Sequence, residues 1–188
     1  MAKAVSRTDG DNLVIRARTQ ADALGRLYEL YYDRIFRFCI HRLFSREVAE
    51  DITSTIFLAV ARAMRTFEGK TEWDFRNWLY AVAINQVNAY IRKTSRRRRL
   101  LAEAAAARAA SRAGAQESHE PDWPRVYAAI LELKPEHQTI VTLRFFEKLS
   151  FAEIAEILGV REGTVRVTLH RILEQLRDNL KMVSNGEI

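Results

Sequence analysis

Residues 158 to 173, LGVREGTVRVTLHRIL, combine an apolar stripe with outward basic side chains. At about 100° per residue, Val165, Leu169 and Ile172 fall on one arc of a helix, which we predict to face a core. The opposite arc carries four side chains, Arg166, Val167, His170 and Arg171. Arginine can donate two hydrogen bonds to guanine or pair with phosphate, histidine can bond to a base edge, and valine can contact a thymine methyl group. This arc therefore suits the major groove of duplex DNA.

The residues before this helix predict how it is held. Ser150 and Glu153 have the S-x-x-E spacing of a capping box, so a short helix should begin there, and Gly159 can supply the left-handed turn that follows. Two helices joined in this way form a helix-turn-helix, whose first helix supports the second in the groove. The alternative is an ordinary solvated face, but the capping box, the glycine turn and the apolar spacing together favour DNA binding.

A second set of polar side chains lies on an earlier predicted helix, from about Phe75 to Lys93. The side of this helix that points away from its apolar stripe is predicted to carry Asn77, Tyr80, Asn85, Asn88 and Arg92. Asparagine can hydrogen-bond to base edges, an aromatic ring can stack on an unpaired base, and arginine can follow phosphates. The set suits single-stranded or opened nucleic acid. A polar outer face without a ligand is the alternative.

These helices belong to a chain that we predict to be all-α. Only seven Gly and three Pro interrupt its 188 residues, and apolar residues recur at three- and four-residue steps. We predict two small helical domains joined by a flexible linker, the second containing the helix-turn-helix. The predicted boundaries are an N-terminal extension at 1–21, a first domain at 22–95, a basic and alanine-rich linker at 96–121, a second domain at 122–183 and a tail at 184–188.

Charge and composition limit the possible functions. The net charge is +6, yet residues 92 to 112 alone hold eight basic groups and one acidic group, which suits a polyanionic partner or, alternatively, a solvated basic linker. The four histidines are scattered and the single cysteine, Cys39, lies inside a helical pattern, so we predict a buried thiol, no metal site, no cofactor and no enzymatic activity. No apolar run is long enough for a membrane span and the first residues do not resemble an export signal, so we expect a cytoplasmic protein.

Four segments together carry a resemblance to a known family. They are LYELYYDRIFRFC, AEDITSTIFLAVARA, FRNWLYAVAINQVNAYIRK and LSFAEIAEILGVREGTVRVTLHR. Their order and spacing resemble those of bacterial RNA polymerase sigma factors, in particular the small extracytoplasmic-function (ECF) group, over about residues 20 to 180. The resemblance implies an alternative sigma factor that binds core RNA polymerase and promoter DNA, with an anti-sigma factor as a further partner.

The resemblance also implies a role for each motif. Glu50 and Asp51 would face the clamp helices of the polymerase. The opened strand of the minus-ten element would be held by loop residues 68–74 with Asn77, Tyr80, Asn85, Asn88 and Arg92. The minus-thirty-five element would be read by Arg161, Thr164, Arg166, Val167, His170 and Arg171.

Two departures from the family pattern concern the predicted contacts. Ser54 and Thr55 stand where relatives usually have a glutamine followed by an acid, which affects docking on the clamp. Val167 and Thr168 stand where serine and arginine are usual, which predicts an unusual upstream sequence preference. Two other classes of protein fit parts of the pattern. One is a conventional regulator that binds duplex DNA without polymerase, and the other is a helical module that sequesters a protein partner.

Overall fold

The computed structural model describes residues 7–105 and 123–185, and the regular elements within these ranges are all helical. The first unit consists of α1 (Arg7–Ala17), α2 (Ala21–Leu43), α3 (Arg46–Ala63) and α4 (Glu72–Ala105). The second unit consists of α5 (Trp123–Glu132), α6 (Pro135–Val141), α7 (Phe151–Leu158) and α8 (Glu162–Asn185). A 3₁₀ turn, Met64–Thr66, follows α3, and a π-helical turn, Thr142–Phe146, follows α6. The predicted fold class is confirmed.

Short sequence signals mark the start of α3 and both ends of α7. The Ser45 hydroxyl accepts a hydrogen bond from the Val48 amide at 3.4 Å and so caps α3. Ser150 and Glu153 form the predicted capping box before α7, and Gly159 ends that helix with a φ of 65°. These boundaries depend on short-range hydrogen bonds and backbone sterics, which is why the sequence alone locates them.

The core of the first unit is assembled from helical apolar stripes. The stripe on α2 buries Leu27, Tyr31, Ile35 and Phe38. Phe75 of α4 packs edge-on against the Tyr31 ring, with the two ring centroids 5.4 Å apart. Cys39 is also fully buried on α2, as predicted, and this burial raises the pKa of its thiol to about 11.

The first unit begins earlier than predicted. Residues 7–17, which we assigned to an N-terminal extension, form α1, and Leu13, Val14 and Ala17 are buried in the core. Burial of this stripe against α2 and α4 explains why the segment is ordered into a helix. Residues 1–6 of the predicted extension lie outside the described residues.

The helix α4 continues ten residues beyond the boundary that we placed at residue 95, and ends at Ala105. Arginine, leucine, alanine and glutamate follow that boundary, and all four favour helix. The first part of the predicted linker therefore continues the helix. Residues 106–121 of that linker and residues 186–188 of the predicted tail lie outside the described residues.

The two units pack directly on each other, a contact that we did not predict. α4 lies against α6 and α7, and one apolar cluster includes residues of both units. The guanidinium of Arg42, which is 2% exposed, lies at this seam. It donates hydrogen bonds to the Asn88 side chain at 2.8 Å, to the Pro135 carbonyl at 3.2 Å, and to the Gln138 side chain. Arg42 thus connects α2, α4 and the start of α6.

Among the helices of the described residues, none combines the length and the apolar character that crossing a bilayer requires.

The turn at Gly159 yields a test of the helix-turn-helix. We expect Gly159→Ala to lower the free energy of unfolding by about 1–2 kcal/mol, because a Cβ is disfavoured at positive φ. The space around the residue is open, since a Cβ added there would meet no heavy atom within 4 Å, so the cost is conformational and not steric. Denaturant unfolding followed by circular dichroism measures it.

The matched control is Gly163→Ala on α8, which also has open space around it and lacks a positive φ. This change should leave stability unchanged or raise it by roughly 0.5–1 kcal/mol, because alanine favours helix over glycine. Equal effects of the two substitutions would contradict the proposed origin of the turn.

The buried thiol yields a second test. Because the Cys39 thiol is fully buried and its pKa is raised to about 11, it should not react with a disulfide reagent in the folded chain near pH 8. One equivalent should react after denaturation, which absorbance of the released thiolate measures. Rapid reaction of the folded chain would show that this part of the core opens readily.

Candidate nucleic-acid interfaces

The helix α8 has one buried and one exposed face, as its sequence predicts. Val165, Leu169 and Ile172 are 1%, 5% and 0% exposed. The six side chains predicted to contact the minus-thirty-five element are all exposed. They are Arg161, Thr164, Arg166, Val167, His170 and Arg171. The structure therefore places them on one accessible surface, which we call the recognition face.

Acidic partners on α8 hold two side chains of the recognition face. Arg166 donates from Nε and Nη2 to Glu162 at 3.1 and 2.5 Å, and its guanidinium lies 4.4 Å from the Phe151 ring centroid. His170 Nδ1 lies 3.4 Å from a carboxylate oxygen of Glu174. Exposed pairs of this kind contribute about 0–1 kcal/mol, so phosphates or bases can replace these carboxylates.

The departure from the family pattern at Val167 and Thr168 leaves an apolar group on the recognition face. Val167 is 53% exposed, whereas Thr168 is half-buried at the edge of the helix. Val167 can contact a thymine methyl group but cannot form a hydrogen bond with a base. Its position supports the expectation of an unusual sequence preference.

The second predicted surface, on α4, differs from the prediction at Tyr80. We predicted that this ring faces away from the core, but it is 1% exposed and packs edge-on against Phe38, with centroids 5.9 Å apart. Its hydroxyl donates to Glu147 of the second unit at 2.7 Å. On a helical wheel Tyr80 lies about 140° from Phe75, between Val87 and Ile84, which are also buried. The apolar arc of α4 is therefore wider than we predicted, and Tyr80 is not available for stacking in this conformation.

The other four predicted residues of α4 divide into two pairs. Asn85 and Arg92 are exposed. Asn77 is half-buried and donates to Glu156 at 3.0 Å, while the Asn88 side chain accepts the hydrogen bond from Arg42. The structure therefore places these residues along one side of α4 but leaves only part of that side open.

The loop before α4 is held by its own side chains. A carboxylate oxygen of Asp74 accepts hydrogen bonds from the amides of Lys70 and Thr71, both at 2.9 Å, and the Thr71 hydroxyl accepts one from the Asp74 amide at 3.0 Å. The hydrogen bonds from Thr71, with a smaller contribution from Lys70, lower the pKa of Asp74. These hydrogen bonds hold the loop in the conformation described.

The helix α1 supports the same loop from the other side. Asp11 accepts a hydrogen bond from the Glu72 amide at 2.7 Å, and Arg18, just after α1, donates to the Gly69 carbonyl. The Trp73 side chain of this loop is 40% exposed. The guanidinium carbon of Arg76 lies over its ring, 4.1 Å from the ring centroid. We predicted Trp73 as part of this loop, but not its pairing with Arg76.

The predicted polymerase-facing carboxylates, Glu50 and Asp51, are both exposed on α3. Arg46 pairs with Glu50 at 2.9 Å. The hydroxyls of Ser54 and Thr55, at the positions that depart from the family pattern, donate to the carbonyls of Glu50 and Asp51 at 3.0 and 2.9 Å. These hydroxyls are thus used within the helix.

Comparisons with known proteins agree with this architecture. Residues 27–97 match the family profile for sigma-70 region 2, and residues 124–176 match the profile for sigma-70 region 4. The chain is 34% identical over 167 residues to the ECF RNA polymerase sigma factor BldN of Streptomyces coelicolor, an alignment that covers 87% of this chain and 63% of BldN.

Two further comparisons are a relative that the chain matches over most of its length and a solved structure with a similar fold. The RNA polymerase sigma factor CarQ of Myxococcus xanthus is 30% identical over 161 residues, which cover 85% of this chain and 90% of CarQ. The solved structure of the sigma factor RpoE in complex with the anti-sigma factor NepR from Bartonella quintana has a similar fold, with a TM-score of 0.59 at 18% identity, covering 84% of this chain and 96% of that one. From its two sigma-70 regions and these relatives, the chain belongs to the ECF group of RNA polymerase sigma factors.

Proposed function

We propose that this chain acts as an alternative sigma factor that reads two promoter elements with two separate surfaces. The observation that carries the proposal is the recognition face, whose six side chains are exposed above a buried apolar stripe. It belongs to a helix-turn-helix with a complete capping box and a left-handed glycine turn. This geometry suits insertion of α8 into the major groove of the minus-thirty-five element.

Within the recognition face, different side chains have different uses. Arg166 and Arg171 can donate paired hydrogen bonds to a guanine or contact phosphates, and His170 can bond to a base edge. Val167 adds an apolar contact that suits a thymine methyl group. Arg161, just before α8, and Thr164, in its first turn, would contact the DNA backbone.

The first unit would hold the opened strand of the minus-ten element. The loop at residues 68–74 and the polar side of α4 supply amide side chains for base edges, with Arg92 for phosphates. The half-exposed Trp73 ring adds a surface on which an unpaired base can stack. In this proposal Asn77, Asn85 and Asn88 contact bases, and Tyr80 contributes only after the second unit moves away.

The remaining partners follow from the same proposal. Glu50 and Asp51 would dock α3 on core RNA polymerase through charge-assisted contacts. An anti-sigma factor is a further proposed partner, and the solved complex of the similar RpoE fold with NepR supports this class of regulator. Because RNA polymerase and promoter DNA are cytoplasmic in bacteria, the proposed function implies a cytoplasmic location.

The second candidate is a conventional regulator that uses the helix-turn-helix on duplex DNA without polymerase. The exposed recognition face alone fits either function. Run-off transcription with purified core enzyme and a library of genomic fragments distinguishes them. We expect this chain to start new transcripts, whereas a conventional regulator would bind DNA without directing core enzyme and would not comigrate with it.

The recognition face can be tested at Arg166 and Arg171. Replacing either with alanine should cost about 1–3 kcal/mol of discrimination if the arginine reads a base, but should weaken all sequences alike if it binds phosphate. Promoter affinity at two salt concentrations separates these outcomes. The control is Arg177→Ala, exposed on α8 and about 16 Å beyond Arg166 along the helix axis. Unchanged affinity for both variants would remove this face from promoter recognition.

The minus-ten surface can be tested at Asn85, the predicted asparagine that is exposed. Loss of one base contact should cost about 1 kcal/mol, so Asn85→Ala should reduce the opened fraction of the promoter roughly fivefold with little effect on closed-complex binding. Permanganate reactivity of thymines in the bubble measures opening. Asn12→Ala, exposed on α1, serves as the matched control. Equal permanganate reactivity in the Asn85 variant and the parent would refute this assignment.

A further inference from the structure

A polar cleft of about 450 Å³ lies between α2, the start of α4 and the turn before α7. We infer that this cleft binds a small anion that carries phosphate groups, either a free diphosphate or the phosphates of a nucleotide. Its volume lies within the range of about 300–1,000 Å³ that small-molecule sites usually have. The inference goes beyond the proposed function, in which the cations of this cleft contact neither promoter DNA nor polymerase.

The lining of the cleft is predominantly basic. Four cationic side chains contribute to it from three parts of the chain. They are Arg34 and Arg37 on α2, Arg76 on α4 and Lys148 in the turn before α7. Two carboxylates, Glu147 and Glu153, also line the cleft, so four cations against two anions leave a net charge of +2. A concave surface with a surplus of one charge concentrates ligands of the opposite charge.

Three of these cations have no partner of their own. Arg34, Arg37 and Lys148 are exposed, and none of the hydrogen bonds or ion pairs among the described residues uses their side chains. The positive field of the cluster acts on His41, about one turn beyond Arg37, because burial and, after it, Arg37 lower the pKa of that imidazole. The charge of the cluster is therefore available to an anion.

The fourth cation, Arg76, is only partly paired. Its Nη1 lies 2.9 Å from a carboxylate oxygen of Glu153, and its guanidinium lies over the Trp73 ring. Its Nε and Nη2 are buried and receive no acceptor from the residues that the structure describes. These two nitrogens form one edge of the guanidinium, and such an edge can donate two parallel hydrogen bonds to the oxygens of a phosphate. A buried donor without an acceptor is costly, so an oxyanion at this edge would be stabilised.

The backbone holds Lys148 at the cleft in a strained conformation. Its φ is 56°, in the left-handed region that side chains with a Cβ disfavour. The π-helical turn Thr142–Phe146 precedes it, and the Leu149 amide donates to the Leu143 carbonyl at 3.0 Å. Arg144 also donates to the Leu149 carbonyl at 3.0 Å. Strained residues and π-helical turns both occur frequently at ligand sites, and here the two features bring a cation to the basic cleft.

The two carboxylates of the lining are compatible with a bound anion. The charge of Glu153 is compensated by Arg76 and by the Ser150 amide, which donates to it at 2.7 Å. One oxygen of Glu147 accepts from the Tyr80 hydroxyl, and the other is buried without a hydrogen bond from any described residue. Burial raises the pKa of Glu147, which reduces the cost of protonating it, and a protonated carboxyl can donate to a phosphate oxygen.

Isothermal titration calorimetry of the full chain with pyrophosphate, without added magnesium, tests the site. Two variants each remove one cation of the lining. They are Arg37→Ala and Lys148→Asn, and asparagine tolerates the left-handed φ of the second position. The matched control is Arg26→Ala, which removes an exposed arginine of the same helix, roughly 16 Å from Arg37 along the axis.

We expect one pyrophosphate to bind per chain, and its affinity to fall by about tenfold or more in Arg37→Ala and in Lys148→Asn, because each loses a charge-assisted contact. Arg26→Ala should bind as the parent does. Circular dichroism should be the same for all four chains, because the replaced side chains are exposed. Absence of saturable binding up to about 1 mM pyrophosphate, or an equal loss in all three variants, would overturn the inference.

Further titrations identify the source of the phosphate groups. Tighter binding of a nucleoside triphosphate, with the same order of variants, would assign the site to a nucleotide, whereas tighter binding of pyrophosphate would assign it to a free diphosphate. Equal affinity for sulfate would show a general anion site and overturn the inference. It would also fail if Arg37→Ala and Lys148→Asn weakened binding of single-stranded DNA while pyrophosphate did not compete with the strand.

Discussion

The buried guanidinium of Arg42 is the constraint on which the arrangement of the two units depends. Burial lowers the pKa of Arg42 to about 10, so the group still carries its charge at neutral pH. A buried cation must find acceptors, and those of Arg42 are the side chains of Asn88 and Gln138 and the carbonyl of Pro135. Gln138 in turn donates to the carbonyls of Leu131 and Leu133 at 3.1 and 2.8 Å. A single side chain of the first unit is therefore tied to the junction of α5 and α6, and separating the units requires that water solvate it.

Because of this junction, α4 packs against the second unit as well as against the helices of the first unit. Its apolar arc includes Phe75 and Leu79, which pack within the first unit, and widens through Tyr80 and Ile84 to the side where α6 and α7 lie. The polar side next to that arc then faces the carboxylates of the second unit. The same helix thus supports the core, carries the proposed strand site and provides the surface on which the second unit rests.

The two proposed DNA-binding surfaces consequently differ in accessibility. The recognition face needs only α7, the glycine turn and a buried stripe behind it, all of which lie within the second unit. The proposed strand site depends on the position of the second unit, because Glu156 binds its donors directly. In the proposed function, duplex recognition and strand capture are therefore assigned to different parts of the chain, and a partner that changes the seam would affect the second without necessarily affecting the first.

The sequence by itself determined the all-α fold, the capping box at Ser150, the turn at Gly159 and the two faces of α8, because these depend on interactions within a few residues. Only the tertiary structure decided the packing of α1, the burial of Tyr80 and the contacts of Arg42. The apolar spacing of Tyr80, Ile84 and Val87 was visible, but a helical pattern does not say which partner covers a stripe. Likewise, Glu147 and Glu156 gain their significance from donors that lie 67 and 79 residues away, Tyr80 and Asn77. Such long-range pairings are set by packing of whole helices, which local propensity does not encode.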